Sequence, residues 1–187
     1  MDESTWTRGW RPTQHDGVSE RRHPQVVNVD EVQADALTQG QRFDGQRRRL
    51  AFNAGGQRLG ASHLSVPPGK TSWPAHYHAG NEEALFILSG QGTLRLGDDR
   101  VPVRAGDWVA LPAEPTAHQL LNTGTEDLVY LAVSTQDPAD VVVYPDSNKI
   151  GVFGGAGPGG DPGRRFVSGF YRGDATVPYY EGEGEER

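Results

Sequence analysis

Four side chains have residue types and spacings that specify chemistry. His76 and His78 stand two apart at the head of the segment His76-Tyr77-His78-Ala79-Gly80-Asn81-Glu82-Glu83, and His118 follows forty residues after His78. In an extended segment residues two apart share a face, so both imidazoles are offered to one point in space. Glu83 opens an alternating run, Glu83-Ala84-Leu85-Phe86-Ile87-Leu88, just past a turn at Gly80 and Asn81, which turns its carboxylate back across the hairpin. His118 opens a further strand-like run, His118-Gln119-Leu120-Leu121-Asn122, behind a Pro-rich turn. Three imidazoles and one carboxylate form a ligand set for a metal ion, with coordination positions left over for substrate or water.

A single histidine would read as a polar residue in an ordinary hydrogen bond, and only the set of four argues for a metal. His63 lies in the run Leu59 to Val66 with Leu59, Ala61 and Ser65 on its face. It is the one weak candidate for a catalytic group, against the plainer reading of a satisfied edge histidine. Lys70, Arg95 and Arg104 are candidates for orienting an anionic substrate, with exposed charge as the default for each. Trp73, Tyr77, Phe86 and Trp108 read as core or interface aromatics, and Asn122 as a side chain that ties a turn. Gln119 alternates away from His118 and is expected to face outward.

The elements that must position these groups are short strands. The chain of 187 residues contains 25 glycines and 13 prolines, placed between short apolar runs rather than in a repeat, which favours a turn-rich all-β fold. Strand-like runs recur at Arg49 to Phe52, Leu59 to Val66, Ser72 to His78, Ala84 to Leu88, Gly92 to Leu96, Val101 to Val103, Trp108 to Leu111, His118 to Asn122 and Leu128 to Ser134. Their separators, such as Pro67-Pro68-Gly69, Gly97-Asp98-Asp99 and Asn122-Thr123-Gly124, are turn chemistry, so the strands close into an antiparallel sandwich or barrel. Three regions follow: an irregular arm over residues 1–40, a barrel over 41–136, and a glycine-rich extension over 137–187 that packs on or beside the barrel. A turn of helix is expected between Val29 and Leu37 with Asp30 as its cap, and a flexible loop from Gly151 to Gly163. The aromatic residues at Trp6 and Trp10 favour docking of the arm, and Glu181 to Arg187 read as solvated.

Composition excludes several functions. The absence of cysteine rules out disulfides and thiolate ligands. A net charge of −7 argues against binding to nucleic acid phosphates, and the cluster Arg47-Arg48-Arg49 reads as a solvated strand edge. The first residues lack a signal-peptide pattern and no apolar stretch is long enough to span a membrane, so a cytoplasmic location without a membrane partner is expected. The glycines at 154 to 160 lack the lysine ending of a phosphate-binding loop.

Two segments resemble the motifs of the cupin superfamily. Gly69-x6-His76-x-His78-x4-Glu83-x6-Gly90 is similar to the first motif, with one extra residue before His76. Gly106-x5-Pro112-x5-His118-x3-Asn122 is similar to the second, with Glu114 where glycine is usual and one extra residue before the histidine. The register to Gly90, together with the alternation Glu83, Leu85, Ile87, selects Glu83 over Glu82 as the ligand and leaves Glu82 pointing out. Further segments, among them Tyr144-Pro145-Asp146-Ser147 and Tyr179-Tyr180-Glu181-Gly182-Glu183, resemble single-domain prokaryotic cupins of the cupin 2 conserved-barrel type, whose function is uncharacterised. The resemblance implies a double-stranded β-helix, or jelly-roll barrel, that is often a homodimer and carries the metal inside.

The ligand set suits Fe(II), Mn(II), Ni(II), Cu(II) or Zn(II), with Fe or Mn favoured. Two functions compete. One is a metal-dependent enzyme of dioxygenase, isomerase or lyase type acting on a small oxygenated molecule in the barrel. The other is a non-catalytic module that binds a small molecule and signals through its tails, a reading favoured by the lack of an assignable general base.

Overall fold

The structure is a computed structural model and describes residues 23–184. The expected arm therefore lies mostly outside the described residues, with His15, Trp6 and Trp10, as does the end of the acidic tail. Among the described residues there are thirteen strands: β1 (Asp35–Ala36), β2 (Gln46–Arg49), β3 (Leu59–Val66), β4 (Tyr77–His78), β5 (Glu83–Ser89), β6 (Gln91–Leu96), β7 (Asp99–Arg104), β8 (Trp108–Leu111), β9 (His118–Leu121), β10 (Leu128–Thr135), β11 (Ala139–Tyr144), β12 (Lys149–Gly154) and β13 (Val167–Arg172). They form a six-stranded sheet in the order β1-β2-β3-β10-β5-β8, a three-stranded sheet β7-β6-β9 and a four-stranded sheet β13-β12-β11-β4. Every strand pairing is antiparallel, and the whole is a double-stranded β-helix.

Period-two alternation decides which side chains enter the barrel. On β5 the inward face carries Glu83, Leu85 and Ile87, so the apolar core and the acidic end of the site share one row of one strand. Leu64 and Val66 of β3, Leu94 of β6, Leu120 of β9 and Leu128 and Tyr130 of β10 complete the core beside them. Burial of each aliphatic side chain contributes about 1.5–3 kcal/mol. The register between β5 and β10 slips at Val129/Tyr130, leaving Leu88 bulged and exposed. Gly90, between β5 and β6, has φ +79°, and a Cβ there would stand 2.5 Å from the Asp127 carbonyl oxygen, so no other residue fits without a shift.

Several elements differ from the sequence expectation. The run expected as a strand from Arg49 to Phe52 divides: β2 ends at Arg49, and Leu50–Asn53 form one helical turn, α1. Only Tyr77–His78 of the expected strand Ser72 to His78 pair in a sheet. The turn of helix near residue 30 is a 3-10 turn, Val29–Glu31, capped by Asn28 rather than Asp30, because the Asn28 side chain accepts from the Asp30 amide at 3.0 Å. The segment after residue 136 supplies three strands, and β12 carries the glycine-rich stretch to Gly154 as regular sheet. Thus β11 pairs with β4 at Val142↔His78, bringing the extension directly against a histidine of the site.

Asn122 performs the turn-tying role its position promised. Its amide nitrogen donates to the Val66 carbonyl at 2.7 Å and the Glu126 carbonyl at 2.8 Å, while its oxygen accepts from the Gly124 amide at 2.9 Å. Replacing Asn122 with Ala strands these groups in a buried turn and should lower unfolding stability by about 1–3 kcal/mol. Urea denaturation of the variant against the parent measures it, and an unchanged midpoint would refute the role.

Candidate metal centre

His76, His78, Glu83 and His118 come together at one end of the core. Glu83 Oε2 lies 3.1 Å from His118 Nε2, 3.4 Å from His78 Nε2 and 3.8 Å from His76 Nε2. The ligand atoms of His76, Glu83 and His118 are all within 4.8 Å of one another, and His78 approaches that trio through Glu83. Backbone pairing sets this up, since His76 and His118 exchange amide bonds of 3.1 and 2.8 Å across an isolated bridge. Glu82 is exposed and stands away from the cluster.

The second nitrogen of two of these rings is fixed as a donor. His78 Nδ1–H donates to Asp140 Oδ2 at 2.6 Å, and His76 Nδ1–H donates to the Pro74 carbonyl at 2.8 Å. Each bond holds the tautomer whose Nε2 lone pair faces Glu83, the form a metal requires. Burial, helped by the neighbouring His118, pushes the His76 imidazole down to about 4, so it stays neutral at physiological pH. Burial opposes charge on His78 as well, but its bond to Asp140 carries that ring above the ordinary range. Burial also works against the charged forms of Glu83 and Asp140. The hydrogen bond from His118 to Glu83 and that from His78 to Asp140 overcome it, so both carboxyls stay below the usual range. Three imidazoles, an ionised carboxylate and donor atoms near the roughly 3 Å expected between adjacent ligands fit a divalent ion.

Asp140 has no place in the sequence motifs, yet it is buried and directs His78. Its signal is an acidic residue in register with Val142 and Tyr144 on the inward face of an apolar strand. Gly80 permits the approach: a Cβ there would stand 2.7 Å from the Ala139 carbonyl oxygen, and the Gly80 amide donates to Asp140 Oδ1 at 3.1 Å.

The cluster opens into a cavity of about 1090 Å³ between the six-stranded and four-stranded sheets. Tyr144 lines it, stacked on His76 at 5.8 Å between centroids, and burial with the charge of Glu83 pushes its phenol up to about 12. Tyr130, raised by burial, is tied to Ser72 at 2.6 Å. Gln136 Oε1 is a buried acceptor on the wall without a partner among the described residues. His63 does not line this cavity. It stands on the opposite face of β3 from Ser62 and Leu64, which do.

The cations chosen from sequence lie elsewhere. Arg95 pairs with Asp146 at 2.9 Å, Lys70 donates to the Gln41 carbonyl at 2.6 Å, and Arg104 lines a separate shallow pocket. Arg47 and Arg49, expected as a solvated edge, line the cavity instead, because β2 ends at its wall. Gln119, expected to face outward, is buried. It donates to the Trp73 carbonyl at 2.6 Å and accepts from Arg42 at 2.8 Å, groups that cover the outer face of β9.

Residues 62–134 match the family model of the cupin domain, so the chain carries a cupin domain over that span. The oxalate-binding protein of Thermotoga maritima is 38% identical over 72 residues, a match that takes in 38% of this chain and 58% of that protein, less than two thirds of its length. A structure from Acidithiobacillus ferrooxidans, provisionally named a sugar phosphate isomerase, superposes with a TM-score of 0.68 at 26% identity, covering 83% of this chain and 97% of that one. A predicted oxalate decarboxylase from Thermotoga maritima superposes at 0.51 and 26% identity, covering 59% of this chain and 97% of that one. No helix among the described residues is long and apolar enough to cross a membrane.

Replacing Asp140 with Ala removes the acceptor that orients His78, and metal affinity should fall about 10- to 100-fold. Titration of the chelator-treated variant with Mn(II) measures this, and an affinity equal to the parent would remove Asp140 from the site.

Proposed function

We propose that this chain is a metal-dependent enzyme that acts on a small, oxygen-rich molecule within the cavity, by isomerase or lyase chemistry. The observation that carries the reading is the convergence of three imidazole Nε2 atoms on Glu83 Oε2 at the end of a large cavity. His76, His78, Glu83 and His118 would hold one divalent ion. Such an ion, when bound, supplies Lewis acidity to a carbonyl or hydroxyl oxygen of the substrate.

The chain's own groups define the rest. Tyr144, un-ionised beside the cluster, is a hydrogen-bond donor placed to face an oxygen on which negative charge develops. Gln136 Oε1 requires a donor, and a substrate hydroxyl supplies one. The structural relative named as a sugar phosphate isomerase supports proton movement on a polyhydroxylated molecule.

The oxalate-binding relative supports a second reading, a binding module without turnover. Among the described residues that line the cavity, the carboxylates and imidazoles are the four cluster residues and Asp161, which leaves no separate base beside the cluster. A cytoplasmic homodimer is the setting proposed for either reading.

Protein purified without chelator or affinity resin should carry close to one divalent ion per chain, and His118→Ala should lose most of it while remaining folded by circular dichroism. Less than about 0.1 ion per chain under metal-replete conditions would sink the site. Metal-loaded protein should interconvert members of a panel of hydroxy-ketones and enediols without consuming O2. Oxygen uptake would make it a dioxygenase, and metal binding without turnover would make it the binding module.

A further inference from the structure

Among the described residues, five arginines line the cavity and take no part in the metal cluster: Arg47, Arg49, Arg58, Arg164 and Arg165. They come from two stretches far apart in sequence, β2 with the loop after α1, and the loop between β12 and β13. In a chain of net charge −7 this is a local inversion of sign. Asp161 shares the wall, and Asp35 pairs with Arg47 at 3.1 Å and Arg49 at 3.4 Å, so positive charge remains in excess.

Three of the five are pre-set against aromatic rings, and the Arg47 guanidinium carbon lies 5.5 Å from the Trp73 ring centroid. The Arg49 guanidinium carbon lies 4.4 Å from the Phe52 ring centroid, and that of Arg165 lies 5.2 Å from the Phe153 centroid. Arg165 is also cradled by carbonyls: its Nε donates to Ala156 at 3.3 Å, and its Nη2 to Gly157 and Pro158, both at 2.8 Å. Burial and then the charge of Arg49 hold Arg165 below the ordinary arginine range, which marks the two cations as neighbours. Nη1 of Arg165, both Nη atoms of Arg49, and the side chains of Arg58 and Arg164 have no acceptor among the described residues. The free Nη pair of Arg49 can grip an oxyanion bidentately, and Nη1 of Arg165 adds a further charged donor.

The occupant follows from charge and room. A cavity of about 1090 Å³ is far larger than a two-carbon acid at the metal cluster needs, and matches a whole small-molecule ligand. A single carboxylate would leave the excess charge unmatched, whereas a phosphate monoester carries nearly two negative charges at neutral pH. We infer that Arg49 and Arg165, supported by Arg58 and Arg164, form a phosphate subsite, so that the substrate is a phosphorylated small molecule with its oxygenated end at the histidine cluster. This rests on the proposed function for the orientation of the substrate, but the anion site itself does not need the metal.

The test is isothermal titration with inorganic phosphate of chelator-treated and Mn(II)-loaded protein, with acetate as a parallel arm and metal content measured on the same samples. Phosphate should bind both forms with similar affinity and more tightly than acetate does. Arg49→Gln and Arg165→Gln should each weaken it about tenfold or more. Arg165 also anchors its loop, so Arg58→Gln, whose exposed side chain makes no hydrogen bond or ion pair among the described residues, serves as the second variant and should weaken binding severalfold at unchanged melting temperature. Equal phosphate affinity in all the variants would overturn the inference. So would binding seen only with Mn(II), or acetate binding as tightly as phosphate. If the chain takes up no Mn(II) but still binds phosphate through these arginines, the metal reading fails and the subsite stands.

Discussion

A carboxylate half-buried at the end of an apolar row must be matched by hydrogen bonds or opposite charge, or it will take up a proton. Glu83 follows Leu85 and Ile87 inward on β5, and its surroundings are arranged around that cost. His118 bonds to it directly, while His76 and His78 aim their Nε2 atoms at the same oxygen. The demand then passes outward. Bringing His78 into this company turns its other nitrogen to Asp140, a buried carboxylate, which takes a further bond from the Gly80 amide. One such charge thus fixes a histidine of β4, a strand of the extension and a glycine in the turn between β4 and β5.

This chain of compensation divides the interior. Toward one end, aliphatic side chains of the six-stranded and three-stranded sheets pack without polar interruption. Toward the other, the sheets part around a cavity whose walls carry two main sets of ionisable groups, the histidines with Glu83 and Tyr144, and the arginines from β2, the loop after α1 and the loop after β12. The first set is neutralised by its own geometry. The second keeps an excess of charge, and the asymmetry gives the cavity a direction.

Much of this was legible in sequence because alternation is a local property. The inward row Glu83, Leu85, Ile87, the pairing of two histidines two residues apart and the turn at Asn122 all follow from a period of two and from turn chemistry. What escaped depended on cover supplied from afar. Gln119 alternates outward on β9, but Arg42 and Trp73 lie over that face and bury it. Asp140 reads as one more acid beside an apolar run until β11 pairs with β4, and Arg49 reads as a surface charge until β2 ends at the cavity. No local pattern reports which distant segment will lie across a strand.

The pairing of β11 with β4 also sets a thermodynamic coupling. The ring of His78 touches the histidine cluster through one nitrogen and the extension through the other. Whatever free energy the docked extension adds to the grip of that ring on a ligand, the ligand must return to the docking of the extension. The stretch after residue 136 is therefore part of the site's binding equilibrium as well as its wall. A ligand gripped by His78 would raise the protection of β11 amides against hydrogen exchange at a distance from the cavity floor.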